Sequence, residues 1–475
     1  MDEEKKQPSA KDDFFDTPIL EEKEKIENAG GMVALNTQTP PQTPPQKQQK
    51  FKVGYVFGAI GIALASFLGG YFTYGGRLDA EMRSLINAKD AIDNYYYTEI
   101  DNDTFYATIF SAINNELLDP YSGYMTADEY AAFNESATGK WSGLGLTFVT
   151  KDENGEDQML IARVSGNSPA QAQGILDGDK IIGFGATEES IVESKSFDEF
   201  SLFLQGYESD QPFVLKIQSG EQTRVVTIAK QSFVESYVLY RSKQSAYTFG
   251  GENATELKGV NDPLSTLPED TAYVRLTQFN GSAAEQFAST MSVFKQENKK
   301  NLVLDLRSNG GGYLDILCEI AAYFCKDTAE KNPVVAISVD KNGNEEKFSA
   351  TKNLYNEYFQ ADSRICVLAD ASSASASECL IGAMLDYKAI AYGDICLSKR
   401  SGVAKTYGKG IMQATYPFGL VNSDAIKLTT ARICWPLSKN CIHGRGVLPE
   451  DGTQVIEESY QKDEELNAAL AALGF

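Results

Sequence analysis

A run of small residues, Ala371-Ser-Ser-Ala-Ser-Ala-Ser-Glu378, leads into Cys379-Leu-Ile-Gly-Ala-Met-Leu-Asp-Tyr387, and Thr406-Tyr-Gly-Lys-Gly-Ile-Met-Gln413 follows. A serine in a small-residue turn entering a helix presents its hydroxyl openly. A lysine between glycines can be buried beside it and lose its proton. The chain has one histidine, His443, so a Ser-His-Asp arrangement would have to use it, whereas a Ser-Lys pair needs none. The chemistry these residues suit is hydrolysis through a covalent serine intermediate.

A second segment, Asp305-Leu-Arg-Ser-Asn-Gly-Gly-Gly-Tyr313, follows an apolar strand and precedes a helix. Its glycines let backbone N–H groups converge on a negative centre at the helix start. A phosphate is one such centre, but no Gly-Lys-Ser/Thr follows, so this is not a nucleotide loop. Beside a serine turn, an oxyanion hole is the better reading.

Strands and helices alternate around these segments. From about Glu235 onward, Ala272–Leu276, Asn301–Leu306, Val334–Val339 and Arg364–Leu368 read as strands. Ser282–Gln296 and Leu314–Phe324 read as helices, which is α/β patterning. Residues 78–140 read as a helical unit. Leu85, Ala88, Ile92 and Tyr95 form one helical face, Phe105–Leu118 a second helix, and Thr126-Ala-Asp-Glu129 a capping box. Between the two lie Trp141-Ser-Gly-Leu-Gly-Leu-Thr-Phe148, Ser168-Pro-Ala170, Gly174-Ile-Leu-Asp-Gly-Asp179 and a closing hairpin, Phe213–Ile217 with Arg224–Ile228.

Val53–Tyr74 is 22 residues without a charge, enough to span about 30 Å of hydrocarbon. Lys47, Lys50 and Lys52 precede it, which places residues 1–52 in the cytoplasm and the remainder outside. The tail 1–52 is acidic and then rich in Pro, Gln and Thr, a composition that resists folding. At 475 residues with 42% hydrophobic content, the chain supports more than one domain. A net charge of −23 argues against nucleic-acid partners. Seven cysteines all lie in the last third, with no CxxC, and with one histidine a zinc site is not expected. Cys434 and Cys441 flank what reads as a hairpin turn and are candidates for a disulfide.

Five motifs in order, Asp305-Leu-Arg-Ser-Asn-Gly-Gly-Gly312, Ser373-Ala-Ser-Ala-Ser-Glu378, Gly408-Lys-Gly-Ile-Met-Gln413, Leu428-Thr-Thr-Ala-Arg432 and Gly446-Val-Leu-Pro449, resemble the C-terminal processing peptidases, or tail-specific proteases. With Asp119-Pro-Tyr-Ser-Gly-Tyr-Met125, the resemblance spans roughly residues 80–455. Residues 141–232 resemble a PDZ domain, with Gly143, Leu144, Gly145 and Leu146 as the loop that binds a peptide carboxylate. The implied fold is an α/β protease core (233–475), a small PDZ domain and a helical N-terminal unit behind a single transmembrane helix (53–75).

The resemblance makes Ser375 the nucleophile, Lys409 the general base and Gln413 the residue that orients it. Ala376 with Gly311 or Gly312 would hold the oxyanion, and Asp386 would take a supporting place. Lys399, Lys405 and His443 are rival bases. A lysine base must be neutral near pH 7, several units below its reference value of about 10.4. The segment Ile395–Lys405 is longer than the usual family connection and reads as a basic, flexible insert, a lid or a device that displaces the lysine. Substrate C-termini are the implied partners, with no metal or cofactor. The C-terminal helix either packs on its own core or makes a homodimer. Two other readings stay open at this point: a silent, membrane-tethered PDZ scaffold, and a Ser-Lys amidase or esterase.

Overall fold

The computed structural model describes residues 79–475, apart from 153, 251–256, 260–263, 400–401, 421–422 and 458–463. The expected tail and membrane span lie outside the described residues. Among the described residues, no helix is long and apolar enough to cross a membrane. The chain divides into two units, Met1–Glu99 and Ile100–Phe475.

The described part of the first unit is a helix, Ala80–Tyr95, capped by the Asp79 carboxylate, which accepts the Met82 N–H at 2.8 Å. The apolar face expected on it exists in register, yet no residue of the helix is buried.

The second unit opens with the helix Asn102–Ala112, which widens into a π-helical turn, Ile113–Leu117. Asp119 then nucleates the Asp-Pro-Tyr-Ser turn: its Oδ1 accepts the N–H groups of Tyr121 and Ser122, both at 2.9 Å. The turn runs into a short strand, Gly123–Met125, and the helix Ala127–Ala137, whose Thr126/Glu129 capping box is formed. That short strand pairs antiparallel with Ala425–Cys434, so this N-terminal segment adds a strand to the sheet that carries part of the site.

Residues 146–229 build a six-stranded sheet. Its main path runs Leu146–Lys151, Asp157–Val164, Lys180–Gly185, Pro212–Ser219 and Gln222–Ala229, with Val192–Glu193 beside Lys180–Gly185. Met159, Ile161, Phe200, Phe213 and Leu215 fill its core against the helix Phe197–Gln205. Leu146–Lys151 is an edge strand, paired on one side only. Gly143 ends the short strand Lys140–Gly143, which pairs with Gln231–Val234, and Leu144-Gly145 links it to Leu146. Ala170 N–H donates to the Leu144 carbonyl at 3.1 Å, and Ser165 N–H to the Gly145 carbonyl at 2.8 Å. Because a trans peptide points its N–H opposite its C=O, the Gly145 and Leu146 N–H groups turn the other way.

Most strands of the remainder form an eight-stranded sheet. Its order is Leu257–Gly259, Ala246–Phe249, Val238–Arg241, Thr271–Leu276, Asn301–Asp305, Ile365–Ala369, Ile395–Lys399 and Gln454–Glu457, and it is parallel from Thr271–Leu276 onward. Phe279, Phe287, Phe294 and Phe324 are fully buried in its core, each side chain contributing about 1.5–3 kcal/mol of apolar burial. Val334–Asp340 does not join this sheet. It pairs antiparallel with Glu345–Ser349 and with Ala425–Cys434, which in turn carries Ile411–Pro417.

The expected insert needs correction. Ile395–Lys399 is a strand of the parallel sheet, between Ile365–Ala369 and Gln454–Glu457, with Ile395, Cys396 and Leu397 buried. Three apolar residues followed by Ser-Lys-Arg-Ser-Gly are a short signal for a strand buried on both faces. The C-terminal helix Glu464–Ala472 buries Leu466, Ala469 and Leu470 in its own core.

Candidate active site

The serine turn lies at the end of a parallel strand. Ile365–Ala369 leads into Asp370–Ser375, and the helix Ala376–Asp386 starts at once. Ser375 is the N-cap residue and sits at φ 57°, ψ −114°, a backbone state that L residues adopt only when their surroundings enforce it. The enforcement comes from the glycine turn. The Asn309 carbonyl accepts from Ala374 N–H and from the Ser377 hydroxyl, each at 2.9 Å. The Ser373 hydroxyl donates to the Leu306 carbonyl at 2.8 Å, and the Asp370 carboxylate accepts the Ser308 N–H at 3.0 Å. Gly311, at φ 98°, lies so close that a Cβ there would meet Ser375 Cβ at 2.7 Å.

The Asp-Leu-Arg of this motif is scaffold. Asp305 is buried and accepts a forked pair of bonds from Arg307, which also binds Glu465 of the C-terminal helix at 2.9 Å. Burial works against the Asp305 charge, and Arg307 outweighs it, holding the carboxyl below its ordinary value.

The two glycines expected at the oxyanion position behave differently. Gly311 N–H donates to the Asn309 side chain at 2.9 Å, so it is committed inside the turn. Among the described residues no acceptor takes the Gly312 N–H, and Ala376 N–H is one of the unpaired donors of a helix N-terminus.

Lys409 comes from the loop before the strand Ile411–Pro417. Its flanking glycines are pressed onto the 442–446 segment: a Cβ on Gly410 would meet the His443 nitrogen at 2.7 Å, and one on Gly408 the Gly446 nitrogen at 3.0 Å. The Lys409 amine donates to Gln413 Oε1 at 3.0 Å, and Gln413 Nε2 donates to the Tyr121 carbonyl. The Tyr121 ring lies 5.0 Å from the amine. Burial lowers the lysine pKa; the Lys427 charge lowers it further, and Asp119 opposes.

Glu378 joins the two halves. This fully buried residue takes Thr406 Oγ1 at 2.6 Å and Gly408 N–H at 2.7 Å on one oxygen. It takes Lys409 N–H and Ser375 N–H, both at 2.9 Å, on the other. Burial raises its pKa, and these four donors resist that shift. In sequence, a glutamate three residues after an N-cap serine reads as a capping box; its contacts to 406–409 carry no local signal.

A cavity of about 1080 Å³ is lined by Ser375, Ala376, Lys409, Gln413, Gly311 and Gly312 together. Leu314, Phe348, Ile411 and Ile433 supply apolar walls. Met412–Thr415 of the strand Ile411–Pro417 lines it as well. Other candidates lie elsewhere. His443 is exposed, and its backbone, not its imidazole, packs on Gly410. Lys399 pairs with Glu457 at 3.0 Å. Asp386 sits at the far end of its helix and accepts the Leu437 and Ser438 N–H groups at 2.8 and 2.9 Å, anchoring the turn before Cys441. Cys434 and Cys441 are both free thiols, and Cys441 Sγ donates to the Gly410 carbonyl at 3.8 Å. Among the described residues, no cluster of His, Cys, Asp and Glu is arranged to hold a metal ion.

Residues 270–451 match the model of Peptidase family S41, a span that holds the glycine turn, Ser375, Glu378, Lys409 and Gln413. The chain is 27% identical over 432 residues to a probable CtpA-like serine protease of Staphylococcus haemolyticus, covering 88% of this chain and 76% of that one. It is 26% identical over 372 residues to a protein of the same description from Staphylococcus aureus, covering 78% of this chain and 64% of the relative's length. Among solved structures, the photosystem II D1 C-terminal processing protease is similar, at 20% identity and a TM-score of 0.45, over 84% of this chain and 98% of that one. Residues 270–451 thus carry the Peptidase family S41 match, and the chain is a serine-type peptidase similar to the C-terminal processing peptidases.

Proposed function

We propose that Ser375 and Lys409 form the catalytic dyad of an endopeptidase that selects substrates by their C-terminal tails. The observation that carries this is one cavity holding a strained serine, a half-buried lysine amine and two N–H groups, of Gly312 and Ala376, that have no acceptor among the described residues. Lys409 takes the proton of the Ser375 hydroxyl as its oxygen attacks the scissile carbonyl carbon. The oxyanion forms against Gly312 and Ala376. The C–N bond breaks as Lys409 returns the proton to the leaving amine, and water then hydrolyses the acyl-serine by the same route. Gln413 keeps the amine in place without adding a charge that would restore its proton.

The apolar walls suit an apolar side chain beside the scissile bond, and the Gly143–Leu146 loop suits a terminal carboxylate. The open edge of Leu146–Lys151 suits an extended peptide, which adds as a strand. The charge-free segment Val53–Tyr74 supports a single-pass anchor with the catalytic part outside the cell membrane.

Single substitutions assayed on an unfolded protein test the dyad. Ser375→Ala and Lys409→Ala should each eliminate turnover in folded protein, while His443→Ala retains most of it. A folded Lys409→Ala that still turns over, with His443→Ala inactive, replaces this mechanism with a histidine-based one.

A further inference from the structure

We infer that Tyr121 is a positioning residue for Lys409, its aromatic ring closing the lysine amine off from water while its backbone carbonyl fixes Gln413. This rests on the Ser375–Lys409 reading above and extends it to a residue 288 positions away in the chain. Three contacts converge on Tyr121. Its ring centroid lies 5.0 Å from Lys409 Nζ. Its carbonyl accepts the Gln413 side-chain N–H, the same amide whose oxygen holds the amine at 3.0 Å. Its hydroxyl donates to Tyr407 Oη at 3.2 Å, and Tyr407 stands two residues before the lysine with its ring edge-on to Tyr121.

The segment is held rigidly enough to do this. Asp119 closes its turn, and Gly123–Met125 is registered against Ala425–Lys427. Ser122 Oγ accepts the Thr429 N–H at 2.8 Å. The tyrosine is therefore docked onto the same hairpin that carries Gln413.

The ring exerts two opposed influences. Its face attracts an ammonium, which favours the protonated lysine. Its bulk excludes water, which disfavours the charge, and desolvation moves a lysine by up to about 3–5 pH units when burial is complete. Burial is the largest influence on Lys409, and the ring, 5.0 Å from the amine, is part of what buries it. The other groups facing the lysine are Lys427 on the strand Ala425–Cys434, which lowers its pKa, and Asp119 on the tyrosine's own turn, which raises it. Glu378 faces the lysine's backbone N–H, and Tyr407 meets the tyrosine hydroxyl. None of these is removed by a change at position 121.

The test is kcat/KM on a labelled unfolded casein across pH, with thermal melts to establish folding. Tyr121→Phe keeps the ring and the carbonyl, so the acid limb stays at the wild-type pH, with a loss in rate of about twofold for the missing hydroxyl bond. Tyr121→Ala keeps only the carbonyl, and its acid limb moves up by about half a pH unit or more. If the alanine variant does not fold, Tyr121→Leu is read in its place, with the same direction expected. A folded alanine or leucine variant whose limb stays put, with rate lost equally at every pH, overturns the inference in favour of a purely structural residue. A limb that moves to lower pH overturns it too, because attraction for the ammonium would then be the ring's main effect. Failure of the dyad itself is separate: it would appear as turnover in Lys409→Ala, whatever position 121 does.

Discussion

Glu378 and Lys409 are joined through the lysine's backbone, not its amine: the buried carboxylate accepts the Lys409 N–H at 2.9 Å, and the same oxygen accepts the Ser375 N–H at 2.9 Å. One carboxylate oxygen therefore sets the spacing between the two loops that carry Ser375 and Lys409. Glu378→Gln keeps the shape but turns an NH2 toward two donors. We predict a stability loss of about 2–4 kcal/mol in urea denaturation and at least a tenfold fall in kcat. Wild-type activity in Glu378→Gln would show that the spacing is held by other means.

The charges around Lys409 give a pH prediction with a sign. A base works unprotonated, so activity is lost as pH falls through the lysine's pKa, which burial and Lys427 place below the ordinary lysine value. Lys427→Ala removes a repelling charge, raises that pKa and should move the acid limb of kcat/KM to higher pH. Asp119→Asn removes an attracting charge while an amide oxygen can still accept the turn's N–H groups, and should move the limb to lower pH. Shifts of the same sign in both variants would take Lys409 out of the rate-controlling ionisation.

Two glycines separate strain from collision. Gly174 has φ 66° and open space around its missing side chain, so Gly174→Ala should cost about 1 kcal/mol and leave turnover intact. Gly311→Ala adds a carbon 2.7 Å from Ser375 Cβ and 2.8 Å from the Ala374 carbonyl oxygen, at φ 98°. It should displace the serine and reduce kcat by about 100-fold or more, the scale seen when one oxyanion donor is lost. Calorimetry alongside kcat distinguishes the two; equal behaviour would mean the serine turn can shift without penalty.

Thiol reactivity checks the cysteine arrangement. Six of the seven cysteines are buried, and Cys441 alone is partly accessible. Burial pushes Cys318 and Cys325 up to about 12, which keeps them as unreactive thiols at neutral pH. Native protein should therefore show one fast thiol toward an aromatic disulfide reagent, lost in Cys441→Ser. No fast thiol in reductant-treated protein, or several, would contradict this arrangement.

What is readable in the sequence here is local. Ser375 stands in a small-residue turn, and Lys409 has a glycine on each side; each glycine meets a backbone from 442–446. These features need only neighbouring residues to be noticed. Tyr121 contributes a carbonyl and a ring face from a distant turn, and neither has a residue-type signature. Glu378 looks like an ordinary helix cap until its second oxygen is followed across to Thr406 and Gly408. Ile395–Lys399 is misread as a loop because a strand covered on both faces needs only Ile-Cys-Leu to be buried, too short a run to stand out before a polar stretch. Asp386 has the right residue type in the right helix, but at its last residue, where it caps a turn instead of entering the cavity.

The hydrogen bond from Gln413 to the Tyr121 carbonyl joins residues 292 positions apart. Contacts of that separation close late, because the entropy of so large a loop must be overcome before the bond forms. During synthesis the chain emerges from its N-terminus, so Tyr121 waits for the hairpin that carries Gln413 to be made and folded. If Ser375 and Lys409 act as proposed, a half-folded chain lacking this contact would hold the serine turn without a fixed base and should not cleave peptides. On that reading the enzyme's competence would be timed by its own topology, with hydrolysis starting once both ends of this long loop have met.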